Sequence, residues 1–156
     1  MKSVEIKKIH VKPAILKDAE FIWSIRNHKK SLIWFGERIK LSDHLLWFKN
    51  EFKIERSFFY IANLEKNKVG YLRFSMAEKK FPVISYGIKE EFKKNGYGSI
   101  LLKEASAKFF KSNKNIFKVI AWVHKKNIAS LKSFERAGFK YTKKDYKYFY
   151  FELCRN

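Results

Sequence analysis

The sequence has almost no cysteine: one residue in 156, Cys154. A single thiol permits no internal disulfide and no cysteine-based metal cluster, so a reducing cytoplasm is the expected setting. Glycine and proline are also scarce, at six and two, and no low-complexity stretch, repeat or composition shift marks a linker or boundary. Acidic residues are few, 15 against 35 Lys+Arg, a formal net charge of +20. No apolar run reaches the roughly 18 residues that a membrane span needs. The start, Met1 to Lys8, is charged and lacks the apolar core of a signal peptide. The expectation is a cytoplasmic chain with no membrane insertion. At roughly 100–200 residues per domain, the length predicts one domain over 1–156, large enough to bury a core unaided.

Apolar and aromatic residues are plentiful, 46% and 18%, with 16 Phe, 8 Tyr and 4 Trp. That much apolar surface can offset the entropy of folding, which excludes a disordered chain. Of the 35 basic residues 29 are Lys, spread over nearly every segment and accompanied by Asn, Ile and Phe. All have A/T-rich codons, so base composition explains part of the excess. A basic surface with interleaved aromatics suits nucleic acid, and it equally attracts a nucleotide cofactor or sugar nucleotide. With no RNP-type aromatic strand, zinc-ligand spacing or helix-turn-helix pattern, specific nucleic-acid binding is not expected, and a basic nucleic-acid-binding module is the distant alternative.

Hydrophobic periodicity divides the chain into short elements. Val4–Val11 reads as a strand ending before Pro13. Asp18–Asn27 reads as a helix, and a second helix follows from Ser42 as N-cap, with Leu45, Leu46, Phe48 and Phe52 as its apolar set. Ser57–Leu64 and Val69–Met76 form a hairpin about Glu65-Lys66-Asn67-Lys68. Val83–Ile88 is a strand, Gly98–Lys111 a helix, Val119–Val123 a strand, Asn127–Ala137 a helix, and Phe139–Leu153 a terminal pair of strands. Strands alternating with helices late in the chain predict a mixed sheet covered by helices, an α/β (α+β) class.

The sharpest local feature is Lys93-Lys94-Asn95-Gly96-Tyr97-Gly98-Ser99, between a strand and an amphipathic helix. Two glycines a residue apart let the backbone turn tightly and offer successive N–H groups to a phosphate at a helix N-terminus. It is neither a Walker A loop nor the dinucleotide fingerprint, since Leu101 stands at the third-glycine position. Asn127-Ile128-Ala129-Ser130 opens the next helix, and Gly138, suited to positive φ after a helix, precedes Phe139.

With these two blocks in register, the chain resembles the GNAT superfamily of acetyl-CoA-dependent N-acetyltransferases over essentially its whole length. The family pattern Gln/Arg-x-x-Gly-x-Gly/Ala appears as Lys93-x-x-Gly96-x-Gly98, followed by Asn127-x-x-Ser130 and Gly138-Phe139. The resemblance implies a mixed, mostly antiparallel sheet of about seven strands, four flanking helices, and fourth and fifth strands splayed to admit pantetheine. It implies acetyl-CoA as cosubstrate and no metal. Cofactor contacts are expected at Lys93, Lys94 and the amides of Asn95, Gly96, Tyr97, Gly98 and Ser99, and at Asn127, Ser130 and Phe134. An amide near Gly87 or Ile88 would polarise the thioester carbonyl.

The stretches Trp23-Ser24-Ile25-Arg26-Asn27-His28 and Leu41-Ser42-Asp43-His44-Leu45-Leu46-Trp47-Phe48 resemble a GNAT branch that acetylates nucleotide-linked amino sugars in surface-glycan pathways such as pseudaminic acid synthesis. This implies transfer to the 4-amino group of a UDP-linked amino-deoxy sugar, by direct attack in a ternary complex. A protein N-terminal amine or another small amine is the alternative acceptor, and a homodimer is a possible assembly. Arg26, His44, Trp34, Phe35, Trp47, Ser85 and Tyr86 are the expected substrate contacts. Two departures bear on mechanism: Phe134 stands where many relatives carry a Tyr that protonates the leaving thiolate, and Val83–Ile88 has no Glu to serve as base. That leaves His44 or water to take the amine proton. The aromatic group Trp34, Phe35, Trp47 and Phe48 is divided between core and pocket lining. His124 reads as a strand-edge residue, and Cys154 lies too near the end to carry an acetyl group.

Overall fold

A computed structural model describes residues 8–76 and 80–156. The β-rich start contributes β1 (His10–Pro13), and the residues 4–7 assigned to it from the sequence lie outside the described range. Pro13 is part of the strand rather than its boundary, paired with Tyr60. It is tolerated because β1 is the sheet edge, where a missing N–H can face outward. Three helices follow: α1 (Ala19–Arg26), a single turn α2 (Leu32–Phe35), and α3 (Leu41–Lys53). The turn α2 carried no periodic signal and makes five helices where four were expected. Ser42 lies inside α3; Lys40 is the capping residue, in extended conformation, and its carbonyl accepts from the His44 amide at 3.0 Å.

The hairpin β2 (Ser57–Leu64) and β3 (Asn67–Ser75) is tighter than the sequence suggested. Asn67 already pairs with Leu64, so the loop shrinks to Glu65-Lys66, with Glu65 at φ 55°. Then come β4 (Val83–Ile88), α4 (Tyr97–Ser112), β5 (Lys118–His124), α5 (Ile128–Arg136), β6 (Lys140–Lys144) and β7 (Tyr148–Cys154). The strands form one sheet in the order β1-β2-β3-β4-β5-β7-β6. Every pairing is antiparallel except β4 with β5, which is parallel and registers at a single pair, Val83 with Ile120. Beyond that pair the two strands separate, and their facing edges line a cavity instead of a ladder.

Side chains alternate across the sheet and divide the core in two. Tyr60, Ala62, Leu72, Phe74 and Ile84 point toward α4 and α5, where Phe74 stacks on Phe109 at 4.0 Å. Phe59, Ile61 and Tyr71 point the other way, against Ile22 and Ile25 of α1 and Phe48 of α3. Phe48 is therefore wholly core. The same alternation puts Arg73, between Leu72 and Phe74, on the α1/α3 face, directly across from Ser85 on β4.

Candidate active site

The turn from β4 into α4 is built around backbone conformation. Lys94 and Gly96 both take positive φ, 64° and 78°. The Asn95 side-chain amide braces the turn by donating to the Phe92 and Lys93 carbonyls at 3.1 and 3.0 Å. Gly96 occupies the cap position of α4, and no side chain caps it. The N–H groups of Gly96, Tyr97, Gly98 and Ser99 thus lack intrahelical acceptors and stand at the positive end of a 16-residue helix. Such an array favours an anion.

The two glycines act differently. A Cβ on Gly96 would meet nothing within 4 Å, so that position needs glycine for its φ. A Cβ on Gly98 would lie 2.9 Å from Ser133 Oγ and 3.2 Å from the Tyr86 ring, so Gly98 lets α4 close against β4 and α5. Lys93 pairs with Glu90 at 2.8 Å, and Lys30 reaches the same carboxylate at 2.7 Å from the α1–α2 connection. Hydrogen bonds from Lys30 and then Lys93 hold that carboxyl at about 2.

The splay between β4 and β5 is a cavity of about 490 Å³, lined by Ser85 and Tyr86 on one side and by Trp122, His124, Asn127, Ser130 and Phe134 on the other. Asn127 caps α5, its Oδ1 accepting from the Ser130 amide at 3.2 Å. Phe134 is buried, stacked on Phe151 and edge-on to Tyr86. Burial pushes the Tyr86 phenol up, against hydrogen bonds with Ser130 and Ser133 that pull it down. Along β4, Pro82 O accepts from Ile120 N on the β5 side while Lys89 N donates to Val69 on the β3 side. Alternation between these turns the amides of Tyr86 and Ile88 toward the splay. Of the two amides named from the sequence, that of Ile88 is turned to the β5 side of the strand, and Gly87 is turned into the ladder opposite Tyr71. Gly87 is small for another reason: a Cβ there would lie 2.6 Å from Ile25 of α1.

A second cavity of about 410 Å³ lies between the sheet and the α1–α3 segment, lined by Arg26, Phe35, His44, Trp47, Phe59 and Tyr71 among others. The two cavities share Phe35, Arg73 and Ser85, so they adjoin at those residues. Arg73 was not singled out from the sequence. Its signal was present: a lone charge in the alternating run Val69–Phe74, on the face opposite Leu72 and Phe74. Its guanidinium lies 4.8 Å from the Trp47 ring, donates to Ser57 Oγ at 2.8 Å, and reaches the buried Glu51 at 3.4 Å.

The expected substrate residues Arg26 and His44 line this second cavity, but both are also structural. Arg26 donates to the carbonyls of Glu37 at 2.9 Å and Phe35 at 3.3 Å. Asn27 and Trp23 hold the next residue but one: Asn27 donates to and accepts from the Ile39 backbone at 2.7 and 3.0 Å, and Trp23 Nε1 donates to Ile39 O at 2.7 Å. The Trp-x-x-Arg-Asn run is thus a clip on the strap that carries α2. His44 is 2% exposed and its Nε2–H donates to Ala19 O at 2.9 Å. Burial, the larger cause, and the Arg26 charge lower its pKa against that bond. The ring is a neutral hook between α3 and α1. Trp34, on the strap, meets the His124 ring at a tilt of 51° with centroids 5.4 Å apart, and His124 Nδ1 accepts from the Lys126 amide. Cys154 is exposed. Among the described residues no group of three or more His, Cys, Asp or Glu is placed to hold a metal ion, and no helix is long and apolar enough to cross a membrane.

The fold is shared with solved acetyltransferases. Aminoglycoside acetyltransferase AAC(6')-Ib in complex with coenzyme A superposes with a TM-score of 0.79 at 17% identity, covering 95% of each chain. Spermidine N-acetyltransferase from Vibrio cholerae, with CoA and spermine, gives 0.80 at 15%, covering 94% of this chain and 95% of that one. Ribosomal-protein-S5-alanine acetyltransferase from Vibrio fischeri gives 0.77 at 17%, covering 95% and 93%. No curated protein matches the sequence significantly. The model of the acetyltransferase (GNAT) family matches residues 19–139. With its uncapped α4 turn, its parted β4 and β5 and that match, the chain belongs to the GNAT family of acetyltransferases and is an acyltransferase that uses acetyl-CoA.

Proposed function

We propose that this acetyltransferase acts on a primary amine in an acceptor that also carries negative charge, with a nucleotide-linked amino-deoxy sugar of surface-glycan biosynthesis as the class that fits best. The observation that carries this is the lining of the second cavity. It combines aromatic faces, Phe35, Trp47, Phe59 and Tyr71, with two guanidiniums, Arg26 and Arg73, against the single carboxylate of Asp43. Aromatic faces stack on a base or a sugar ring, and guanidiniums favour phosphate. Polycationic acceptors of the aminoglycoside or polyamine kind would meet like charge there.

In this reading the α4-turn amides of Gly96 to Ser99 hold the pyrophosphate of acetyl-CoA, with Lys93 and Lys94 adding positive charge. Asn127, Ser130 and Phe134 border the pantetheine arm, and the Ile88 amide faces the thioester carbonyl. The acceptor enters from the α1–α3 side and meets the acetyl group near Ser85. His44, with its Nε2–H committed to Ala19, shapes this side, and the amine proton passes to water.

Parallel assays with a UDP-linked 4-amino sugar, peptides with free N-termini, and spermidine test the acceptor class. Turnover of the sugar nucleotide with no turnover of spermidine is expected. Rapid turnover of peptides with none of the sugar would overturn the glycan assignment in favour of a protein N-terminal acceptor.

A further inference from the structure

We propose that Arg73 takes the place of a general base, its charge holding the acceptor amine neutral where the two cavities adjoin. This rests on the reading that amine and thioester meet there. The residues common to both cavities are Phe35, Arg73 and Ser85, and neither Phe35 nor a serine hydroxyl takes up a proton near neutral pH. The nitrogen of an ammonium has no lone pair to attack with, so the proton must leave first. A fixed positive charge a few ångströms away disfavours the ammonium over the amine and does so without moving.

The surroundings preserve this field. Arg73 lies over the Trp47 ring at 4.8 Å and within 5.9 Å of the Phe59 ring, and its side chain is only 25% exposed. Its counter-charge, Glu51, is 5% exposed, is shared with Arg56 at 3.9 Å, and accepts from Ser57. The three-membered group Arg56, Glu51 and Arg73 sums to one positive charge, with Arg56 half exposed and screened and Arg73 the cation nearer the cavities. Around the junction, α1 adds Arg26, β3 adds Tyr71, and α3 adds neutral His44 and the exposed carboxylate of Asp43. From the splay side come Tyr86 on β4, His124 on β5, Lys147 just before β7, and Tyr148 at its start. Among the described residues lining the two cavities, Asp43 is the one carboxylate that opposes the field, and it does so from solvent, where screening is strong; outside the lining, Glu51 opposes it from behind Arg73.

The step balances without a protein base. The bound ammonium releases one proton to water. The freed nitrogen pair forms the C–N bond, the C–S bond breaks with its pair on sulfur, and the second nitrogen proton leaves to the thiolate or to water, giving the amide and CoA.

The field can be read with no acceptor present. Ser85 lies directly across from Arg73 in the β3–β4 ladder, so Ser85→Cys in a Cys154→Ser background places a lone thiol beside the guanidinium. Its pKa, from thiolate absorbance or alkylation rate against pH, is expected to fall about one unit or more below the ordinary 8.5. Arg73→Lys should keep that depression. Glu51→Gln with Arg73→Gln should abolish it, and Arg73→Met, which leaves Glu51 with Arg56 and Ser57, serves if the double variant does not fold. A thiol of ordinary or raised pKa beside intact Arg73 overturns the proposal, whatever the acceptor proves to be. With an active acceptor, the acid limb of kcat reports the bound amine and should move up by about one unit in the charge-neutral variant. An acid limb that stays in place there, or one that disappears in His44→Gln or His124→Gln, overturns it as well.

Discussion

The α4 turn and the α1–α3 segment are the two halves of the proposed site, and they are built by opposite means. The turn presents main-chain amides, and its side chains serve the backbone: Asn95 braces it, Gly96 admits positive φ, and Gly98 lets α4 approach Tyr86 and Ser133. The α1–α3 side presents side chains, positioned by contacts distant in sequence, such as His44 on Ala19 and Asn27 on Ile39. Variants should therefore uncouple cofactor binding from stability in the first region and leave them coupled in the second.

Charge in the turn gives the largest effect. Gly98→Asp places a carboxylate against the proposed phosphate site. At about 4 Å and an effective dielectric near 20 the repulsion is on the order of 4 kcal/mol, reduced by solvent and relaxation. Acetyl-CoA affinity should fall at least about tenfold in calorimetric titration. Because its Cβ also crowds Ser133 and Tyr86, the apo melting temperature should fall too. Ser99→Asp separates the two effects. It introduces negative charge in the first turn of α4, which stabilises a helix by about 0.3–1 kcal/mol. Apo melting should hold or rise while acetyl-CoA affinity drops. Undiminished affinity in the folded variant would remove the turn from the site.

On the other side, Asn27→Ala removes both hydrogen bonds to Ile39 and should destabilise by about 1–3 kcal/mol, since the carbonyl and amide it leaves are partly buried. Acceptor KM should rise with acetyl-CoA affinity little changed. A variant with wild-type KM for the acceptor would show that the strap does not shape its pocket.

His44 gives a pH signature. Its folded pKa lies below the ordinary 6.5, so the native state takes up a proton less readily than the unfolded chain. Its contribution is complete above about 6.5 and is lost as pH falls from there toward the lowered native value, with a slope of at most one proton. Melting curves from pH 8 to 5 should show this decline, and His44→Gln should flatten it. The smallest effect belongs to the Lys30–Glu90 pair, which ties the α1–α2 connection to the turn. Half of it is exposed, so Lys30→Ala should cost less than about 1 kcal/mol and leave both affinities near wild type.

The elements themselves were legible because they follow from periodicity and punctuation. Val83–Ile88 matches β4 residue for residue, and the expected helix and strand at Gly98–Lys111 and Val119–Val123 extend by a single residue at each end. The one-turn α2 was not legible: four residues are too short for a periodic signal, and the turn is held by Arg26 and the 27–39 clip rather than by its own pattern. At the proposed site, the conformation of the Lys93–Ser99 turn could be read in advance because it is local, set by glycine and the unpaired first amides of a helix. Arg26 and His44 could be named together and both line the second cavity, but their bonds to Phe35, Glu37 and Ala19 could not be read, since no spacing records a partner 9 to 25 residues away.

Composition, periodicity and two glycine-bearing turns thus determined the class of fold, the order of its strands and helices, and where an anion can meet the backbone. Each of these depends on residues near one another in the chain. Tertiary structure alone decided that β4 and β5 register at one pair and then part, that the Ile88 amide rather than that of Gly87 is turned to the β5 side, and that Arg73 stands across from Ser85 where the cavities adjoin. Those depend on strand register and on which sheet face each side chain takes, quantities fixed only when distant segments pack together.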